Sequence, residues 1–267
     1  MLCRPRTSRE RERVSANYAN FPKGLNHETH ENQEHSTEMK AQILFDPDLL
    51  PYKVEGSRVI QDFGHIKQAD AATFKPLNHH FSIDASHVFS GWEVLRGVSP
   101  ESFRVLNELY ASDGKKIYYN YGPIPAADCQ SFKVLDAGYW RSDYCVIFEG
   151  YARDQGGIWF YSRTIGKPRI LKTADADSFE RLPYDYARDS KRVFSGGLVV
   201  TKADPASFAL ITQRYARDRS RIFYGNTALE GVDYASFEIV NAQDNQAKDK
   251  YHLYERHLRV DAYTALE

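Results

Sequence analysis

Residues 204–224 read Asp204-Pro-Ala-Ser207-Phe208-Ala-Leu210-Ile211-Thr-Gln-Arg-Tyr215-Ala-Arg-Asp218-Arg-Ser-Arg-Ile222-Phe223-Tyr224. This stretch decides the fold because it holds two patterns that recur through the chain, and a fixed recurrence marks a repeat architecture. The first pattern is a capping residue followed by a hydroxyl residue and Phe. Its copies are Asp70/Thr73/Phe74, Ser99/Ser102/Phe103, Asp128/Ser131/Phe132, Asp175/Ser178/Phe179, Asp204/Ser207/Phe208 and Asp233/Ser236/Phe237. Their phenylalanines are separated by 29, 29, 47, 29 and 29 residues. The second pattern is an aromatic three residues before an acid. It occurs as Tyr52/Glu55, Phe81/Asp84, Tyr110/Asp113, Trp140/Asp143, Tyr151/Asp154, Tyr186/Asp189 and Tyr215/Asp218.

The first pattern reads as a helix start. Its acid suits an N-cap, and an apolar residue precedes each cap (Ala69, Val98, Ala127, Ala174, Ala203, Val232), so that the Phe closes a hydrophobic staple. Three residues after each Phe stands Leu77, Leu106, Leu135, Leu182, Ile211 or Val240, a spacing that predicts one short helical face. The second pattern reads as a hairpin. In Tyr186–Val200 the polar residues around Asp189 make one turn, and Gly196-Gly197 supplies the positive φ values of a primed turn. The expected fold is therefore mainly β with short helices, an α+β repeat. About six 29-residue units, each of roughly three short strands and one short helix, stack as a solenoid or close into a ring. The recurring acids read as cap and turn residues, since calcium loops crowd several acids at alternate positions and none does so here.

Tyr215-Ala-Arg-Asp218-Arg-Ser-Arg-Ile222-Phe223-Tyr224, Tyr110-Ala-Ser-Asp113-Gly-Lys-Lys-Ile117-Tyr118-Tyr119 and Asp249-Lys-Tyr251-His-Leu-Tyr254 resemble the bacterial DKNYY repeat family, with its D-K-x-x-V/I-Y-Y core and A-D-x-x-S/T-F linker. The resemblance spans about residues 52–254. It implies a bacterial repeat protein and carries over no catalytic motif. Many relatives are envelope proteins with signal segments.

Composition narrows the function classes. The chain of 267 residues has 35 Lys and Arg against 36 Asp and Glu, a formal net charge of −1, which gives no electrostatic argument for a nucleic-acid partner. Aromatic residues make up 13% of the chain, a balance that favours strands. No apolar run is long enough to span a membrane. The opening MLCRPRTSRERER has no apolar segment behind it, so it does not read as a secretory signal. The expected compartment is the cytoplasm, or the envelope if a signal segment is missing from the gene model. From Asn26 to Lys40 the only apolar residue is Met39, and such a stretch cannot offset its ordering entropy by burial. Residues 1–42 are expected to be a disordered tail with a possible true start at Met39, and residues 43–267 a single repeat domain.

The 47-residue interval exceeds the repeat by 18, which predicts an inserted hairpin at about 140–172. Insertions in repeat proteins emerge from one face, often the binding face. This one carries Trp140 and Trp159 with Arg153 and Arg163 nearby, and Trp and Arg are common interface anchors. These four are the expected binding residues; the competing reading is that the tryptophans close a core made irregular by the insertion. No phosphate-binding glycine loop, H-E-x-x-H, C-x-x-C or G-x-S-x-G is present. His79, His80 and His87 near Asp84 form the densest histidine group, without fixed ligand spacing, and Cys129 and Cys145 read as buried thiols. No metal or cofactor is expected. The functional expectation is a non-enzymatic repeat protein that binds another protein, in its specific form a cytosolic immunity protein that neutralises a toxin. The alternative is an envelope or carbohydrate-interacting protein, with a hydrolase among its forms.

Overall fold

The computed structural model describes residues 50–62, 64–141 and 145–260. The expected tail and the Met39 start lie outside the described residues. Among the described residues seven antiparallel meanders follow one another, with an eighth, two-stranded sheet between parts of the fourth. Unit one has three strands, Tyr52–Glu55, Arg58–Gln61 and Gly64–His65. Unit two comprises Lys75–Pro76, Phe81–Ile83, Val88–Ser90 and Glu93–Val94. Unit three comprises Arg104–Val105, Ala111–Ser112, Ile117–Tyr119 and Gly122–Pro123. Unit four pairs Lys133–Val134, Glu149–Asp154, Gly157–Ser162 and Arg169–Ile170. Unit five holds Glu180–Arg181, Tyr186–Arg188, Val193–Ser195 and Leu198–Val199. Unit six holds Ala209–Leu210, Tyr215–Arg217, Ile222–Tyr224 and Thr227–Ala228, and unit seven Glu238–Asn241, Gln246–Lys248, Leu253–Glu255 and Leu258–Val260.

The expected helices are absent from the described residues, and the fold is all-β, with four strands in most units instead of three plus a helix. The cap chemistry nevertheless forms. Ser207 N–H donates to the Asp204 carbonyl (3.3 Å) and its hydroxyl to Asp204 Oδ2 (2.6 Å), closing one turn. Strand Ala209–Leu210 then begins directly after Phe208. One turn carries the whole nucleation cost of a helix, and with no residues left for propagation it cannot recover that cost. The residues read as a helical face are in extended pairs: Leu106, Leu182 and Ile211 donate their N–H to the carbonyls of Tyr110, Tyr186 and Tyr215 at 2.8, 3.0 and 2.8 Å.

Both sequence patterns belong to one hydrogen-bonded clamp. Asp218 Oδ2 accepts the N–H of Asp204 (3.1 Å), while its Oδ1 accepts those of Ser220 (2.8 Å) and Arg221 (2.7 Å). Ser207 Oγ in turn accepts the Arg219 N–H at 3.1 Å. Asp84, Asp154, Asp189 and Asp249 accept the N–H of Asp70, Asp128, Asp175 and Asp233 in the same way, at 3.0, 2.9, 2.9 and 2.8 Å. Each carboxylate thus ties the opening turn of its unit to the tip of its central hairpin. At the far end of unit five the Gly196-Gly197 turn has φ of 56° and 71°, the left-handed values that favour glycine at both positions.

Aromatic rings join each unit to the next. Phe208 stands 5.7 Å from Tyr186 of unit five and 5.8 Å from Phe223 of its own unit. Phe179 likewise lies between Tyr151 (5.4 Å) and Phe194 (5.8 Å), and Phe237 between Tyr215 (5.7 Å) and Tyr254 (6.1 Å). The apolar residues expected to staple these phenylalanines, Ala203 and Val232 among them, share their clusters. The Tyr186 and Tyr215 hydroxyls then donate to carbonyls of the following unit, at Arg214 (3.1 Å) and Asn245 (2.8 Å). The core is a series of buried clusters of this kind, and among the described residues none joins unit one to unit seven. Among the described residues no sheet closes on itself, and no helix is long and apolar enough to cross a membrane.

Packing and clamp can each be tested. Phe208, 6% exposed, should cost ~3–5 kcal/mol when replaced by Ala, as a buried large-to-small change; a near-neutral shift in the urea midpoint would remove it from the core. In Asp84, burial alone would raise the carboxyl pKa, but the N–H groups of Asp70, Ser86 and His87 and the His87 ring outweigh it and hold it below the ordinary 3.8. Asp249 is shifted the same way by the N–H groups of Asp233, Tyr251 and His252 and by the Tyr254 hydroxyl. A lowered carboxyl pKa stabilises the fold above the unfolded value, and that contribution disappears as pH falls through the folded one. Thermal melts should therefore show stability dropping below about pH 4, with a shallower drop in Asp249→Asn, which should lose about 1–3 kcal/mol at neutral pH.

Candidate functional site

The regular units share a turn between their first two strands, and a side-chain oxygen organises it. Asn78 Oδ1 accepts the N–H groups of His80 (2.9 Å) and Phe81 (2.7 Å), Asn107 Oδ1 those of Leu109 and Tyr110 (2.9 Å each), and Thr212 Oγ1 those of Arg214 (3.2 Å) and Tyr215 (2.9 Å). Asp136 divides the task, taking Gly138 N–H on Oδ1 (2.9 Å) and Tyr151 N–H on Oδ2 (2.8 Å). Asn78 Nδ2 donates to the Asn107 carbonyl and Asn107 Nδ2 to that of Asp136, both at 3.0 Å. Side-chain amides therefore link this turn from unit to unit.

Unit five breaks the row. The corresponding residue is Pro183, which has no side-chain acceptor, and Tyr184 follows with φ of 62°, a left-handed conformation that is strained for a bulky residue. The insertion meets the row at this break. Strands Trp140–Arg141 and Val146–Ile147 pair as a short strap, with Trp140 opposite Ile147. The Trp140 ring stands 5.8 Å from Tyr184, and the Arg214 guanidinium lies 5.6 Å from the Trp140 ring centre. The Phe148 ring is 4.5 Å from His79 and 5.1 Å from His80 of unit two. One short segment thus touches the turns of units two, five and six.

A polar cluster lies under the strap. Trp140 Nε1–H donates to Glu149 Oε1 at 2.7 Å. Asp185, 5% exposed, accepts the Ser195 hydroxyl on Oδ2 at 3.0 Å, with Arg214 Nη1 at 3.9 Å from the same oxygen. Asp185 Oδ1 is buried without a hydrogen-bond partner. Arg181 pairs closely with Asp136 at 2.9 Å, lies 4.6 Å from the Tyr151 ring and donates to the carbonyls of Tyr184 and Tyr186. Burial is the main force on Glu149 and raises its pKa to about 7; the Trp140 bond opposes the shift, Asp185 adds to it, and Arg214 and Arg181 oppose it.

The sequence-predicted residues are not gathered together. Trp140 is buried in the strap at 9% exposure, and Trp159 in the core at 3%, clustered with Leu109, Tyr110 and Phe132. Arg153 is half-buried in unit four opposite Lys133 and Ile158, and Arg163 is exposed in the turn after Gly157–Ser162. The inserted residues form the strap and a longer connection between Ser162 and Arg169, while Tyr151–Asp154 belongs to the central hairpin of unit four. Glu149, Asp185 and Arg214 have no spacing signature; the available signal was Pro183, standing where Asn78, Asn107, Asp136, Thr212 and Asn241 recur.

The histidines separate as well. His87 Nδ1 lies 3.2 Å from Asp84 Oδ1 in the clamp. His80 is packed among rings with Nε2 buried and unpartnered, and its pKa is lowered to about 3, first by burial and then by His79 and Arg163. Among the described residues no group of three or more His, Cys, Asp or Glu side chains is placed to hold a metal ion.

A carboxyl pKa raised by folding stabilises the protein below the unfolded value, and that contribution is lost as pH rises through the folded one. Glu149→Gln should therefore match the parent at pH 5 and exceed it at pH 8 by about 1–3 kcal/mol. Equal stability of parent and variant at pH 8 in urea titrations would show that Glu149 carries no buried-charge penalty.

Neither a curated protein nor a solved structure matches the chain. The model of the DKNYY family matches residues 26–122, which take in units one and two and nearly all of unit three. The same turns, clamps and rings continue through unit seven, ending at Val260. Over residues 26–122, then, the chain is similar to the DKNYY family.

Proposed function

We propose that the chain is a non-enzymatic bacterial module that binds another protein, in its specific form a cytoplasmic immunity protein that neutralises a toxin. The observation that carries this reading is a set of exposed side chains that follow the third strands of consecutive units. Trp92 and Tyr121 stand two residues after those strands in units two and three, and Arg163 directly after the longer third strand of unit four. Trp92 is 56% exposed and Tyr121 64%, and Trp, Tyr and Arg are the residues most enriched at interface hot spots. The rings are held in place before any partner arrives. Trp92 Nε1–H donates to the Gln61 carbonyl at 3.2 Å, and the indole lies so close on Gly64 that a Cβ there would fall 2.4 Å from it. Tyr121 packs edge-on against Tyr119 at 5.7 Å, and Tyr119 against Tyr161 at 5.6 Å. Preorganisation of this kind reduces the ordering cost of association. In units five and six Gly197 and Asn226 stand at the equivalent positions.

The reading predicts a near-stoichiometric protein retained from the source organism's lysate by the parent chain. Trp92→Ala and Tyr121→Ala should each weaken retention by at least tenfold, about 1.4 kcal/mol, with little change in melting temperature. Trp159→Ala should instead destabilise the fold by ~3–5 kcal/mol. Unchanged retention in both surface variants would remove this row as the binding face. Retention of glycans in place of protein would replace the reading with the carbohydrate-interacting one.

A further inference from the structure

With all three of its carboxylates ionised, the cluster under the strap is one positive charge short. Asp136, Glu149 and Asp185 are three carboxylates, and the guanidiniums set among them are those of Arg181 and Arg214. Arg181 is committed to Asp136 at 2.9 Å, and both of those side chains are largely buried. Arg214 is shared between the Trp140 face and Asp185, which it approaches only to 3.9 Å. Asp185 Oδ1 is left buried with nothing to accept from. Buried acceptors are almost always paired, and a buried carboxylate without a counter-charge is costly. The break in the turn row built this arrangement: Pro183 removes the usual acceptor, and the strained turn at Tyr184 is followed directly by Asp185.

We propose that Glu149, Asp185 and Trp140 form an acceptor site for a single cationic side chain, a lysine or arginine presented by the partner protein. Its source rests on the protein-binding reading; the site itself does not. The incoming cation enters beside Arg214, whose side chain is 38% exposed, donates to Asp185 Oδ1 and faces Glu149. Three carboxylates then meet three cations. Because a nearby cation favours the ionised carboxylate, occupancy drives Glu149 to give up its proton, and binding is linked to proton release.

The Trp140 indole N–H, bonded to Glu149, provides the readout. In the full chain its NMR resonance should titrate with Glu149, with a midpoint near pH 7. The probes are N-acetyl-lysine amide and N-acetyl-arginine amide, each with one positive charge, against neutral N-acetyl-glutamine amide. Either cationic probe at tenfold over its dissociation constant should move the midpoint down by about one pH unit, and the neutral probe should leave it in place. Glu149→Gln, which is expected to fold at least as well as the parent, should abolish the titration, and Asp185→Asn should weaken cation binding at least tenfold. A midpoint unmoved by both cations, or binding retained in Asp185→Asn, overturns the site. A chain that binds the probes but retains no protein from lysate would overturn the protein-binding reading while leaving the site standing.

Discussion

The structure depends on one recurring carboxylate. Two-residue strands cannot hold themselves together, and a lone hairpin is marginal in water. In units two, four, five, six and seven the hairpin aspartate fixes its own tip through one or two N–H bonds and reaches back to the N–H of the linker residue that opens the unit. A charged acceptor with several N–H donors is among the stronger local hydrogen-bond arrangements, and here it replaces the length that the strands lack. Its position also sets the phase of the aromatic packing. Once tip and linker are joined, the linker Phe lies between the preceding unit's tyrosine and its own unit's phenylalanine, as Phe208 does between Tyr186 and Phe223.

Much of this was legible in the sequence because clamp, turn and ring are local and recur with a fixed period. Asp218, Asp204 and Phe208 could be assigned as turn, cap and core residues, and Gly196-Gly197 as a primed turn. The helices failed for a local reason: cap and staple chemistry marks the start of a turn, while helix length depends on the residues beyond it, and Ala209–Leu210 pairs as a strand at once. Trp159 reads from the sequence as either a surface anchor or a core residue, and the structure puts it in the core. The cluster of Glu149, Asp185 and Arg214 joins residues from separate units and has no period, so only the interruption at Pro183 pointed to its place.

The two candidate faces differ in physical character. The row of Trp92, Tyr121 and Arg163 is open, rigid and largely apolar, suited to contact area. The cluster under the strap is enclosed and charged, suited to discrimination, because an unmatched group there leaves buried charge uncompensated. On the proposed reading, the two are separate means of recognition that substitution can alter independently.

The strap has a consequence for how such a protein can change in length. A core built from neighbour-to-neighbour clusters allows whole units to be gained or lost by gene duplication, since each new unit brings its own clamp and its own ring for the next. Trp140 and Phe148 touch turns of units two, five and six, so an extra unit inserted among these would pull both off their contacts. Growth is therefore tolerated beyond unit six and before unit two, and the segment between them is inherited as a block.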